Sequence, residues 1–338
     1  MARNVRGARP TCRRVRRPTR GVTIELGLQV WREPGERGSG LRALARTAES
    51  AGYSSLTVPD HLADEMPAPL TTCAVLIEAT ERIHVGTLVL NNDLRHPVVL
   101  AREAAALAEL SGGRFELGLG AGHIAAEYMR AGLPFERPAR RISRLEEATV
   151  IIRALLAGDT ATRTGEHYTV QDEQIRPGPE HRVPILIGGN SPGLLSVAAR
   201  CADIVGLTGF SQRRGGAVPA DLAKFGSAAA ADQIAALNLL VAAAGRSTRL
   251  HALVQWAQVT PNRRRAAGPV AADLGVTTEV LLDSPYVLMG TEGEIVTQLC
   301  EHRERLGITR WTVFANRPAG QPSPVRSLAP VVERFSSG

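Results

Sequence analysis

An aspartate and a histidine, Asp60-His61, close the short apolar run Ser55 to Pro59. An imidazole titrates near neutral pH, so at the rim of a cleft it can hydrogen-bond a ligand or pass a proton to a reacting atom. Asp60 can orient that ring or cap the following turn. A second imidazole ends the run Gly118-Leu-Gly120-Ala-Gly122-His123, and Glu127 and Tyr128 follow shortly after. The spacing G-x-G-x-G lacks the third glycine of the dinucleotide fingerprint G-x-G-x-x-G. These glycines are therefore read as points where the backbone comes close to a planar ring or a phosphate. His61, His123 and Tyr128 are the candidate proton carriers. Further on, Gly188-Gly189-Asn190-Ser191 precedes Pro192, and Thr208-Gly209 follows another apolar run. Glycines that grant access, beside the positive end of a helix dipole, are what a phosphate requires. An ordinary tight turn with Ser191 as N-cap explains the same residues without a ligand. Asn91, Asn92 and Asp93 add polar groups that turn chemistry alone can account for.

These residues need a scaffold, and the chain supplies a repeated one. Short β-branched runs alternate with helical segments, which argues for a parallel sheet wrapped by helices. Eight strands are predicted, at 22–30, 55–59, 83–90, 115–119, 185–187, 203–207, 251–259 and 311–315. Helices are predicted at 41–51, 69–79, 97–110, 138–157, 191–202, 269–282 and 291–306, several opening on a first-turn proline. Eight βα units over about 300 residues favour a closed (β/α)₈ TIM barrel over an open doubly wound sheet. In such a barrel the chemistry sits on the loops after the strands, which is where the residues above fall. Insertions at that face are expected at 165–184 and 210–228. The domain reading is a disordered basic tail over 1–21 and a single barrel over 22–330.

Of the formal charge of +7, eight positive charges come from Arg3, Arg6, Arg9, Arg13, Arg14, Arg16, Arg17 and Arg20, so the body is close to neutral. The tail has no aromatic residue for base stacking and no apolar face, which argues against a nucleic-acid partner. No run approaches 18 uninterrupted apolar residues, so no membrane span is expected. The four cysteines, Cys12, Cys73, Cys201 and Cys300, form no C-x-x-C pair, so neither a metal site nor a disulfide framework is suggested. A cytoplasmic protein acting on a small molecule fits this composition.

Taken together, several stretches resemble the luciferase-like monooxygenase superfamily, and more closely its branch dependent on the deazaflavin coenzyme F420. The resemblance runs through most of residues 22–316. It is carried by Asp60-His61-Leu62, the run from Arg95 to Gly122, Glu127-Tyr128 with Gly132-Leu133-Pro134-Phe135, the segment from Pro184 to Leu207, and the run from Leu306 to Ala315. It implies a cofactor ring across the barrel mouth, its face supported by a bulged, non-proline cis peptide near Asn91. Asp60 and His61 would lie near the reacting end of the ring. Gly120, Gly122 and His123 would lie near its tail, and Gly188, Gly189, Asn190, Thr208 and Gly209 near the phosphate. The activity implied is hydride exchange between F420 and a small organic substrate, such as reduction of an activated C=C or C=N bond in secondary metabolism, in a homodimeric enzyme. The alternatives are an FMN-dependent monooxygenase using reduced flavin and O₂, and a non-catalytic cofactor-binding barrel. The sequence departs from the family at Gly122-His123-Ile124, where many relatives carry a tryptophan or an acidic residue.

Overall fold

The computed structural model describes residues 24–30, 38–62, 68–209, 225–315 and 323–336. The basic tail at 1–21 and most of the insertion expected at 210–228 lie outside the described residues.

Eight parallel staves close on themselves. Around the ring they are β1 (Glu25–Gln29), β2 (Ser55–Val58), β3 (His84–Thr87) continued by β4 (Leu90–Asn91), β5 (Phe115–Gly120), β8 (Ile185–Gly188), β9 (Ile204–Leu207), β10 (Arg249–Val254) and β13 (Ile308–Phe314). Closure comes from Val85 opposite Phe115 on one side and Glu25 opposite Arg310 on the other. The expected third strand is one stave in two pieces, because a cis peptide bond between Leu88 and Val89 interrupts it. The expected seventh strand also divides. β10 stays in the barrel, whereas β11 (Trp256–Val259) leaves it to pair in parallel with β12 (Val287–Gly290). The excursion after the fourth unit holds the antiparallel hairpin β6 (Ala161–Thr164) and β7 (Thr169–Glu173). Glu147 ties that hairpin down by accepting hydrogen bonds from the backbone of His167 and Tyr168.

Helices α1 (Gly38–Ser50), α2 (Pro69–Glu78), α3 (Pro97–Leu110), α5 (Pro138–Leu156), α6 (Pro192–Cys201), α7 (Ser227–Ala243), α10 (Glu292–Leu306) and α12 (Ala329–Ser336) follow the staves, with the short α4 (Ala125–Arg130) at the barrel mouth. Four of the boundaries follow proline, as expected for a residue that is pre-set for the first helical turn. One expected start is displaced. α8 (Arg263–Leu274) begins at its cap Asn262, whose side chain accepts from the Arg265 backbone N–H, so Pro269 lies inside the helix. Gly275, in the left-handed conformation, then separates it from α9 (Thr278–Leu282). No helix among the described residues is long and apolar enough to cross a membrane.

The lumen holds charged side chains beside a small apolar cluster of Leu88, Leu186 and Ile204, where branched aliphatic layers usually fill such barrels. Arg310 on β13 reaches across the ring to Glu116 on β5, four staves away, in a two-pronged pair of 3.2 and 2.9 Å, and its Nε meets Glu25 at 2.7 Å. Side chains fit here because neighbouring positions are glycine. A Cβ on Gly27 would come within 2.1 Å of the Ser55 hydroxyl, and one on Gly86 within 2.4 Å of the Glu116 carbonyl. His251 lies beside the pair, its Nε2 2.8 Å from the Thr312 hydroxyl, and lines a cavity of about 10 Å³ with Ser55, Thr57, Thr87, Glu116 and Arg310.

Burial, reinforced by the Arg310 charge, holds His251 neutral and lowers its pKa to about 3, and burial lowers that of His302 to about 4. In the unfolded chain both rings take a proton near pH 6.5. Between these values the unfolded state binds more protons than the folded one, so stability rises with pH across that window and is lost on acidification. Each ring contributes up to about 1.4 kcal/mol per pH unit. Thermal unfolding midpoints should therefore fall from pH 6.5 to pH 4, and a His251→Gln variant should show a shallower fall. Parallel curves for the two proteins would contradict the assignment.

Candidate active site

Because all staves run the same way, their C-terminal ends open at one face, and the loops after β2, β4, β5, β8 and β9 share it. The two candidate imidazoles meet there. His61, after β2, and His123, after β5, lie edge to face with ring centroids 5.7 Å apart. Partial desolvation and the neighbouring His61 ring lower the pKa of His123, so it is a neutral donor or acceptor at physiological pH. Nδ1 of His61 sits 3.0 Å from Oε1 of Glu127 in α4, and the other carboxylate oxygen accepts from the Leu62 backbone N–H at 3.3 Å.

Tyr128, the third candidate, occupies a different place. Its ring is 1% exposed, and its hydroxyl lies 2.9 Å from Asn91 Oδ1 and 3.0 Å from Asp93 Oδ2. Burial, with the Asp93 charge beside it, raises its pKa and keeps the phenol protonated. Gly122, with φ of +70°, makes room for this arrangement, since a Cβ there would fall 2.0 Å from the Tyr128 hydroxyl. Asp60 is likewise engaged. Its carboxylate accepts from the Asn91 backbone N–H at 3.0 Å and takes both prongs of Arg95 at 2.5 and 3.3 Å. That couples the loop after β2 to the turn after β4.

Val89, next to the cis peptide, is received by three glycines. A Cβ on Gly118, Gly120 or Gly188 would come within 3.3, 2.6 or 3.0 Å of its methyl groups. These glycines are therefore needed for close packing of a side chain at the barrel mouth, a role the spacing alone does not distinguish from ligand approach.

On the far side of the mouth, Gly189, with φ of +149°, donates its N–H to the Gly206 carbonyl. Asn190 bridges two loops, giving its Nδ2 to the Thr208 hydroxyl at 2.7 Å and accepting from the Thr208 backbone N–H at 3.2 Å. Gln233, on α7, donates to the Asn190 carbonyl. Ser191 caps α6 by accepting from the Leu194 backbone N–H. Gly193 leaves the first turn open, since among the described residues only Ile142, outside its own helix, comes within 4 Å of where its Cβ would stand. An open helix N-terminus beside glycines suits a phosphate group. Gly209, with φ of +79°, lies against the Tyr286 ring, which a Cβ would meet at 2.2 Å.

Residues not singled out from the sequence complete the frame. Arg95 neutralises Asp60. Arg141 is buried with its guanidinium 4.0 Å over the Phe135 ring, and it donates to the carbonyls of Ala121 and Glu136. Arg144 joins Asp93 at 3.0 Å to Glu136. Their cationic type is the only signal the sequence carries, and their buried partners become visible only with the fold.

Comparison with known proteins places this arrangement. The chain is 34% identical over 179 residues to an uncharacterised protein of Mycobacterium tuberculosis, covering 46% of this chain and 61% of that one. It is 37% identical over 163 residues to an F420-dependent glucose-6-phosphate dehydrogenase of Microbacterium testaceum, covering 46% of this chain and 48% of that one. These matches thus span roughly half of the relatives' length. A solved F420-dependent secondary alcohol dehydrogenase, in complex with an F420–acetone adduct, has the same fold with a TM-score of 0.74, at 17% identity and covering 93% of this chain and 99% of that one. The model of the luciferase-like monooxygenase family matches residues 20–310, so the chain belongs to that family.

Proposed function

We propose that this protein is an F420-dependent oxidoreductase that exchanges a hydride with a small organic substrate, reducing an activated C=C or C=N bond, with His61 and His123 as the proton-handling groups. The observation that carries the reading is the pair of imidazoles in contact at the barrel mouth, one of them held by a carboxylate. The F420-dependent relatives support the choice of cofactor. When bound, the deazaflavin supplies the hydride. The chain supplies position and a proton. Gly188, Gly189, Asn190, Thr208 and Gly209, with the open first turn of α6, would hold the phosphate. Asp60, Asn91, Gly120 and Gly122 would shape the surface on which the ring rests. Where reduction of the substrate leaves negative charge beside the reduced carbon, His61 would deliver a proton to that atom. His123, neutral at physiological pH, orients the acceptor or relays a replacement proton. Tyr128 acts through Asn91, as a brace for the same surface.

Calorimetric titration of the purified protein with F420 and, separately, with flavin mononucleotide tests this. Micromolar binding of the deazaflavin alone is expected. Preference for flavin mononucleotide would replace the reading with that of a flavin-dependent monooxygenase, and binding of F420 without turnover on any acceptor would leave a cofactor-binding barrel.

A further inference from the structure

Glu127 is an unusual group to find beside an imidazole at this mouth. Its side chain is 9% exposed, and a carboxylate so buried is costly unless a cation or several N–H donors compensate it. Among the described residues, its one ion-pair partner is His61, with the Leu62 backbone N–H as the second donor. The nearest arginine along its helix, Arg130, is directed to the Leu62 carbonyl instead. One helical position on, Tyr128 grips Asn91 and Asp93. Two adjacent residues of α4 thus clamp the loops after β2 and β4, and only Glu127 does so through a group able to carry a reaction proton.

The geometry points to Glu127 as a positioning residue that fixes both the orientation and the tautomer of His61. This inference rests on the proposed role of His61 in proton transfer. A carboxylate accepts and cannot donate, so a neutral His61 facing Glu127 through Nδ1 carries its proton on Nδ1. Nε2 is then the nitrogen that receives a proton and returns it to substrate. The imidazolium formed on proton uptake is paired with a charge already in place. No bond to Glu127 is made or broken. The carboxylate that meets His61, Glu127, stands one helical turn after His123 and reaches the ring from the Nδ1 side.

The tautomer is directly observable. Imidazole nitrogen NMR on protein labelled in its eight histidines, with the His61 signals identified by their loss in His61→Asn, should show the Nδ1–H form in the neutral ring. In Glu127→Gln, whose amide can either donate or accept, that preference should disappear. Turnover should fall about tenfold or more, as for other residues that orient a catalytic base through a hydrogen bond, while F420 affinity changes by less than about threefold. An Nε2–H form in the unmodified protein overturns the inference, as does a Glu127→Gln protein that keeps both the Nδ1–H form and full turnover. The nitrogen spectrum needs neither cofactor nor substrate, so a failure of the F420 reading would show in the titration and leave this result standing. If Glu127→Gln does not fold, the spectrum of the unmodified protein still decides the matter.

Discussion

Replacing His61 by alanine should lower turnover by about 10² to 10⁴-fold, the range associated with loss of a positioned acid or base, while leaving F420 binding within about threefold of the parent. The assay follows oxidation of reduced F420 by cyclohex-2-en-1-one or a cyclic imine as probe acceptors. The reasoning rests on what the ring touches. His61 is part-exposed at the mouth, paired through Nδ1 with Glu127, and edge-on to His123 at 5.7 Å, so truncation removes a proton carrier without removing packing from the core. The groups proposed to hold the phosphate stand on the loops after β8 and β9, whereas His61 follows β2, which is why cofactor affinity should survive. The cavity left by the ring can admit imidazole, and partial recovery of rate with added imidazole would distinguish a missing proton carrier from a shifted loop. Turnover equal to the parent would remove His61 from the chemistry. In that event His123, already neutral and more exposed, becomes the remaining proton-handling group on this face.

How much of this was legible beforehand depends on the distance over which each feature is determined. The staves were visible because buried parallel strands read as short β-branched runs, and Pro97, Pro138 and Pro192 marked helix starts. Helix α7 was not foreseen. Its run SAAAADQIAALNLLVAA places alanine on every face, and it leaves Leu239 75% exposed, so no stripe separates inside from outside. The departure of β11 from the barrel depends on pairing with Val287–Gly290, a partner some thirty residues away that local patterning does not reveal. The site follows the same rule. Its residues could be listed from their positions after strands, but their partnerships could not. Asp60 read either as orienting His61 or as capping a turn, yet it pairs with Arg95, 35 residues on, while the carboxylate serving His61 comes from Glu127, 66 residues on. The glycines of 118–122 suggested a ligand, and the atoms that in fact crowd them are those of Val89, Thr87, Tyr128 and Asn91. Register and loop placement decide these matches, and both are properties of the closed barrel.

A match of the same kind joins Glu116 to Arg310, 194 residues apart, and breaking it should produce the largest loss of stability. Arg310→Met removes a guanidinium that is 5% exposed and leaves Glu116, 7% exposed, without its two-pronged partner. Truncating one member of a buried pair typically costs about 3–5 kcal/mol, because the remaining charge stays in a low-dielectric interior. In a barrel of about 300 residues that corresponds to a fall in the thermal midpoint of about 5–8 °C. Arg249, 3.9 Å from Glu116 and 3.4 Å from Glu25, compensates from the barrel floor, so the lower part of that range is expected at low salt. The double variant Arg310→Met with Glu116→Leu separates charge from shape. If the loss comes from an orphaned carboxylate, removing that carboxylate should restore most of the midpoint, since well-packed apolar replacements of buried pairs are often neutral. If instead the two side chains hold β5 and β13 at their separation across the lumen, the double variant should be no more stable than Arg310→Met. A single variant that unfolds at the parent's temperature would mean that water already reaches Glu116 through the floor of the barrel, and that the pair contributes little to holding it closed.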